Sequence, residues 1–124
     1  MHTKIFLAIA ASSGFIAVVL GAFGAHGLRN KLDQSLMSAY ETGIQYHFYH
    51  TFAIFAVALL IREFGEKVLL LLSGYAFLIG ILLFCGSLYG LALGGPRWLG
   101  PITPLGGLAF LTAWILMLIA VVRN

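Results

Sequence analysis

The sequence predicts an all-α integral membrane protein: a four-helix bundle of transmembrane helices with both termini on one side. Three observations predict it. Of 124 residues, 61% are hydrophobic and 9% are charged, whereas a soluble domain carries charge on about a quarter of its residues. The apolar residues gather into four runs, each close to the roughly 20 helical residues that cross a hydrocarbon core. The seven Lys and Arg and four Asp and Glu are too few to solvate a water-facing surface, and most fall between the runs. The chain reads as one transmembrane domain, 1–124, with helices at about 5–25, 44–61, 68–93 and 104–122 and a polar, interfacial connection at 26–43.

The first run, Ile5 to Ala25, rises about 31 Å as a helix. Ala22-Phe23-Gly24 faintly resembles a signal-peptide cleavage site, but the run exceeds the roughly 7–15 residues of a signal's apolar region, so it is assigned as a span. In the connection that follows, Asp33 is the N-cap of a helix that begins at Gln34 and continues into the second span. Leu32, Leu36 and Tyr40 keep one face of it apolar, so the segment belongs at the interface. The second run, Ile44 to Ile61, is just long enough at about 27 Å. The third, Val68 to Leu93, is overlong and must tilt, or unwind at Gly90 and Gly94. The fourth is expected to start with Thr103 as N-cap and Pro104 as first helical residue. Trp98, in the connection before it, suits the headgroup level.

Small residues recur every fourth position at Ala17, Gly21 and Ala25 and again at Gly86, Gly90 and Gly94. That spacing lets helix backbones approach in lipid, and both stripes are expected to be packing faces. Lys4, Arg62, Lys67 and Arg123 fall on the side of the termini, and Arg29, Lys31 and Arg97 on the other. The excess of one places the termini in the cytoplasm. The net charge of +3 is spread along the chain without a basic stripe, so no nucleic-acid partner is expected. The expected partners are the lipid bilayer and further copies of the chain.

Four polar clusters need an explanation. His26 lies among Gly21, Gly24 and Gly27 at a helix end, where a glycine cap is the simpler reading and a titratable group at a pathway mouth the sharper one. Glu41, Gln45, Tyr46, His47 and His50 enter the second span; Glu41 and Gln45 share one face and His47 and His50 another. Histidine inside a span is a functional candidate, or a tie between helices. Ser87 and Tyr89 follow Cys85; the Tyr89 hydroxyl needs a partner across the bundle. Thr103 stands in a Gly/Pro-rich turn before the last helix. Cys85 is the single cysteine, which excludes an internal disulfide or a cysteine metal cluster. Two histidines three apart fall short of the three protein ligands of a catalytic zinc. No metal site, cofactor or catalytic residue is assigned, and enzymatic activity is not expected.

The motifs Gly21-Ala22-Phe23-Gly24-Ala25-His26-Gly27, Tyr46-His47-Phe48-Tyr49-His50, Leu83-Phe84-Cys85-Gly86-Ser87-Leu88-Tyr89 and Ile102-Thr103-Pro104-Leu105-Gly106-Gly107, with Trp114 following, resemble in order and over nearly the whole chain the bacterial membrane family called domain of unknown function 423. Small animal transmembrane proteins look related to it. Cys85 departs from the family pattern, in which Ser is commoner. The resemblance implies a four-span protein of the bacterial cytoplasmic (inner) membrane and no activity. Three roles follow, in order: a structural or assembly element, homo-oligomeric through its small-residue faces; proton- or ion-linked permeation through His47, His50 and Glu41; and a lipid or quinone site lined by Tyr40, Tyr46, Phe48, Tyr49 and Tyr89. Outward-facing histidines would demote the last two together.

Overall fold

The computed structural model describes residues 1–123. Four helices are long and apolar enough to cross a membrane: α1 His2–Leu28, α2 Gln34–Phe64, α3 Val68–Ala92 and α4 Leu99–Arg123. No strand occurs among the described residues. Buried residues make up 44% and 39% of the most apolar stretches of α2 and α3, against 22% in α1 and α4. The middle pair is therefore the spine of the bundle. α1 packs mainly on α2, and α4 mainly on α3. His2 donates its backbone N–H to the Glu66 carboxylate at 2.9 Å, which ties the N-terminus to the α2–α3 turn at one end of the bundle.

Helix ends follow local chemistry. The Asp33 carboxylate accepts the Leu36 N–H at 2.9 Å and the Ser35 hydroxyl at 3.0 Å. These bonds, the Leu36 one foremost, hold its carboxyl below the ordinary value. α2 stops at Gly65, whose φ of 92° suits glycine alone. α2 runs 31 residues, so the short second span is really the inner part of the longest helix, and only residues 29–33 break the chain between α1 and α2.

Two other expected ends are corrected. α1 does not stop at Ala25: it continues through a π turn, Gly24–Leu28, and His26 is carried in that turn, exposed. Thr103 does not cap α4. The helix starts at Leu99 and carries Pro104 inside it, a position tolerated in membrane helices because neighbouring groups take up the freed backbone. Thr103 instead turns its hydroxyl to Ser87 on α3, 2.5 Å away. Ser87 also donates to the carbonyl of Phe84.

The small-residue code is corrected as well. Lipid gives apolar helices no hydrophobic reason to associate, so close packing must hold them. The closest approaches between spans are made at other glycines. A Cβ on Gly106 would fall on the backbone of Phe84, one on Gly80 would fall on the Phe110 ring, and one on Gly74 would lie 2.5 Å from Phe6. Of the expected stripes, Ala17 is buried, and Gly21 meets Ile44 at ordinary contact distance, but Ala25 is exposed. Gly94 has φ 92° and makes the α3–α4 turn. Gly90 packs on Leu99, and Gly86 has nothing within 4 Å of where its Cβ would stand. Gly86, Gly90 and Gly94 are thus not one packing face.

Candidate functional site between α1 and α3

The buried stripe of α2 runs Tyr40, Gly43, His47, His50, Thr51, Ile54, Val57, Ala58 and Ile61, the spacing of one helix face. Both histidines of the second span thus occupy core positions. His47 is 4% exposed and His50 5%, so neither faces lipid.

Their surroundings differ. His50 Nδ1 donates to the Tyr46 carbonyl one turn back, at 2.8 Å. Its Nε2 accepts the Trp114 indole N–H at 3.2 Å. A carbonyl only accepts and an indole only donates, so both nitrogens are used and the tautomer is set. The ring lies flat on Phe110, with centroids 3.6 Å apart and planes 8° apart. Phe77 and Trp114 close the cluster edge to face at 4.9 Å.

His47 is held by two other helices. Its Nδ1 meets the Tyr89 hydroxyl of α3 at 2.9 Å, and its Nε2 meets the Ser13 hydroxyl of α1 at 3.0 Å. Ser13 in turn meets Thr51 at 2.6 Å. Gly43 makes room for this. A Cβ there would lie 2.7 Å from the Tyr89 ring, so only glycine lets that ring lie across α2 one turn before His47. Tyr40 stands beside Tyr89, centroids 5.3 Å apart, and donates its hydroxyl to the Leu20 carbonyl of α1.

Beside this chain the bundle is open. α1 and α3 meet at Phe6 and Gly74, near the end that bears the termini, and part beyond that point. The gap is a cleft of about 460 Å³ lined by Ala8, Ile9, Ser12, Ser13, Ile16 and Leu20 of α1, Leu78, Ile81, Leu82, Cys85, Gly86 and Tyr89 of α3, and His47 of α2. Ile16 and Leu82 are 49% and 64% exposed, so the mouth faces the lipid side. A π turn, Ile81–Cys85, runs along the wall; such turns are rare and gather at functional sites. The lining has no Asp, Glu, Lys or Arg. What it offers is an apolar slot with hydroxyls and one imidazole at the bottom.

The remaining sequence candidates sit apart. Glu41 and Gln45 are exposed and line a smaller hollow of about 230 Å³ with Arg29, Gly21, Ala25 and Tyr40, at the end of the bundle away from the N-terminus. Tyr46 is 37% exposed and packs against Phe84 with tilted rings, centroids 4.8 Å apart, lining a shallow groove with His50, Gly107 and Trp114. Among the described residues, the side-chain bonds of His47 go to Tyr89 and Ser13, and none joins it to His26 or Glu41. Among the described residues, no three His, Cys, Asp or Glu side chains converge as a metal site. Ser12, Ser13 and Thr51 are not among the residues that the sequence analysis marks. Their signal was present: Ser12-Ser13 is the one polar pair in the middle of α1, and Thr51 follows His47 by one turn.

These features define a class: a four-span membrane protein whose central helices carry a buried polar centre beside a lipid-facing cleft. The chain belongs to the family described as "Protein of unknown function (DUF423)", whose model matches residues 20–107. Over 120 residues it is 42% identical to the UPF0382 membrane protein YwdK of Bacillus subtilis, covering 97% of this chain and 98% of that one. A UPF0382 membrane protein of Haemophilus influenzae is 46% identical over 89% of this chain and 87% of its own. The UPF0382 inner membrane protein YgdD of Escherichia coli K12 is 40% identical over 99% and 93%. The protein is thus a multi-pass protein of the bacterial inner membrane. No solved structure matches.

Proposed function

We propose that this chain is a binding protein of the membrane, which takes a neutral, lipid-soluble molecule sideways from the bilayer into the α1–α3 cleft and holds its polar end at Ser13, His47 and Tyr89. The role is binding, without catalysis. One observation carries it: a histidine buried by three helices forms the floor of a slot whose mouth is lined by lipid-facing side chains. The slot's volume falls within the range of small-molecule sites, and its few convergent polar groups in an apolar wall are the usual composition of one. The missing ionised groups disfavour a charged ligand, whose charge would be buried unpaired.

The scaffold reading accounts less well for Gly86. A purely structural bundle gains by filling that space, since packing is what holds membrane helices together. Self-association is not needed for this role; Ala17, Gly21 and Gly90 are already used within the chain. Permeation through His47, His50 and Glu41 lacks a route: the two histidines serve separate clusters, and Glu41 lies in another hollow.

The test is labelling with a photoactivatable apolar probe in proteoliposomes, mapped by mass spectrometry. Labels should concentrate on the α1 and α3 residues of the cleft and fall when Gly86→Leu fills it. Even labelling of all lipid-facing positions, unchanged by Gly86→Leu, would overturn the reading.

A further inference from the structure

The hydrogen-bonded chain Thr51–Ser13–His47–Tyr89 joins four side chains by three bonds. A neutral imidazole has one donor and one acceptor nitrogen. The chain therefore runs in either of two directions. In the first, Tyr89 donates to Nδ1, Nε2–H donates to Ser13, and Ser13 donates to Thr51. The Thr51 proton is left over, and a helical threonine can place it on a carbonyl of its own preceding turn. Tyr89 then offers the cleft only an oxygen lone pair. In the second direction Thr51 donates to Ser13, Ser13 donates to Nε2, and Nδ1–H donates to the Tyr89 oxygen. The Tyr89 proton is now free for an acceptor in the cleft that Tyr89 lines.

His50, one turn away, has no such freedom, because both its partners have fixed roles. The two-way chain is thus particular to the residue at the cleft.

We propose that the headgroup held in the cleft is a ring that exists in both carbonyl and hydroxyl forms, a quinone and its hydroquinone, with Tyr89 as the contact and His47 as the residue that lets it switch. A carbonyl oxygen takes the Tyr89 proton and sets the second direction. A hydroxyl donates to the Tyr89 oxygen and sets the first. The protein is assigned no electron transfer: it binds either form, and reduction or oxidation happens elsewhere. This proposal rests on the cleft being a binding site. An ester or amide lipid would need the second direction only, and a pure hydrocarbon neither.

The variants separate these cases. Tyr89→Phe removes the contact for both forms. Ser13→Ala leaves Nε2 without its partner. An unpaired N–H is the harder group to bury, so Nε2 becomes the bare nitrogen and Nδ1 the donor. The second direction is then favoured, and carbonyl ligands with it.

The experiment measures binding of a short-tailed 1,4-benzoquinone, its hydroquinone and a fatty-acid methyl ester to the purified protein in nanodiscs, with thermal melting to show that each variant is folded. Wild type is expected to bind quinone and hydroquinone within about tenfold of each other and the ester more weakly. Tyr89→Phe should weaken both ring ligands about tenfold, the size of one hydrogen bond, and Ser13→Ala should raise the quinone-to-hydroquinone preference. Equal binding of ester and quinone with none of hydroquinone overturns this inference. So does an unchanged ratio in folded Ser13→Ala. Absence of ring binding while the apolar photoprobe still labels the cleft also overturns it, yet leaves the binding role standing. Only the loss of both signals removes the two together.

Discussion

His47 and His50 stand one turn apart on α2, both almost fully buried, and the regions around them solve the same problem in different ways. Around His50, on the α4 side, each nitrogen has a partner of fixed role and the ring is stacked on Phe110 beside Phe77, so the groove of about 570 Å³ that His50 also borders meets a ring with no free nitrogen. Around His47, on the α1 side, the partners are hydroxyls that either donate or accept, and open space adjoins them. Saturation by fixed partners fits a tie between helices. Ambiguous partners beside a cleft fit a place where something else completes the bonding. Burial alone does not distinguish the two.

The same contrast appears in the glycines, and there the largest effect is expected. Gly106 on the α4 side is pressed against the Phe84 backbone, while Gly86 on the cleft side faces open space. Gly106→Ala should force α3 and α4 apart and destabilise by about 1–3 kcal/mol or more. Gly86→Ala should leave thermal stability in detergent unchanged or raise it by up to about 1 kcal/mol through helix propensity. Equal losses from both would remove the distinction.

Next come the histidines themselves. His50→Ala leaves the Trp114 N–H without its acceptor, a cost of about 1–3 kcal/mol, and empties the space under Phe110. His47→Ala breaks two interhelical bonds worth about 0.6 kcal/mol each beside a cleft that already exists. Melting curves should rank His50→Ala as the more damaging. The reverse order would make His47 the structural tie.

A smaller effect is expected at the Asp33 cap, where Asp33→Ala should cost about 1 kcal/mol without altering probe labelling of the cleft. The smallest concerns the far end. The Glu66 carboxyl is held below its ordinary value, first by the His2 backbone N–H and then by the His2 ring. A lowered carboxyl value means that its contribution is present at neutral pH and is lost as the pH falls through the folded-state value. A melting series from pH 7 to about pH 3 should show an acid loss to which Asp33 and Glu66 both contribute, and which Glu66→Gln reduces, with the His47 region unaffected.

The four spans were legible because bilayer thickness and apolar run length are linked by helix geometry alone. The start of α2 was legible for a similar reason: Asp33 is a local signal. His47, His50 and Tyr89 were visible as polar groups in apolar surroundings. Their partners were not, because Ser13 lies 34 residues from His47 and Trp114 lies 64 from His50, and no local pattern encodes such pairings. Glycine spacing misled for a related reason. Gly86, Gly90 and Gly94 repeat along the chain, but the helix ends at Ala92, which leaves Gly94 in the turn, and the start of α4 brings Leu99 to Gly90 and nothing to Gly86. Thr103 misled because the pair Thr-Pro signals a helix start, while the helix had already begun at Leu99.

The comparison between the two histidines is tested most directly by nitrogen-15 solid-state NMR of histidine-labelled protein in liposomes, with each ring assigned through its single substitution. His50 is expected to show one tautomer, protonated at Nδ1, with or without added ligand. His47 is expected to change its protonated nitrogen when the quinone replaces the hydroquinone. A His47 spectrum that shows one tautomer, identical in both cases while the probe occupies the cleft, would contradict the account.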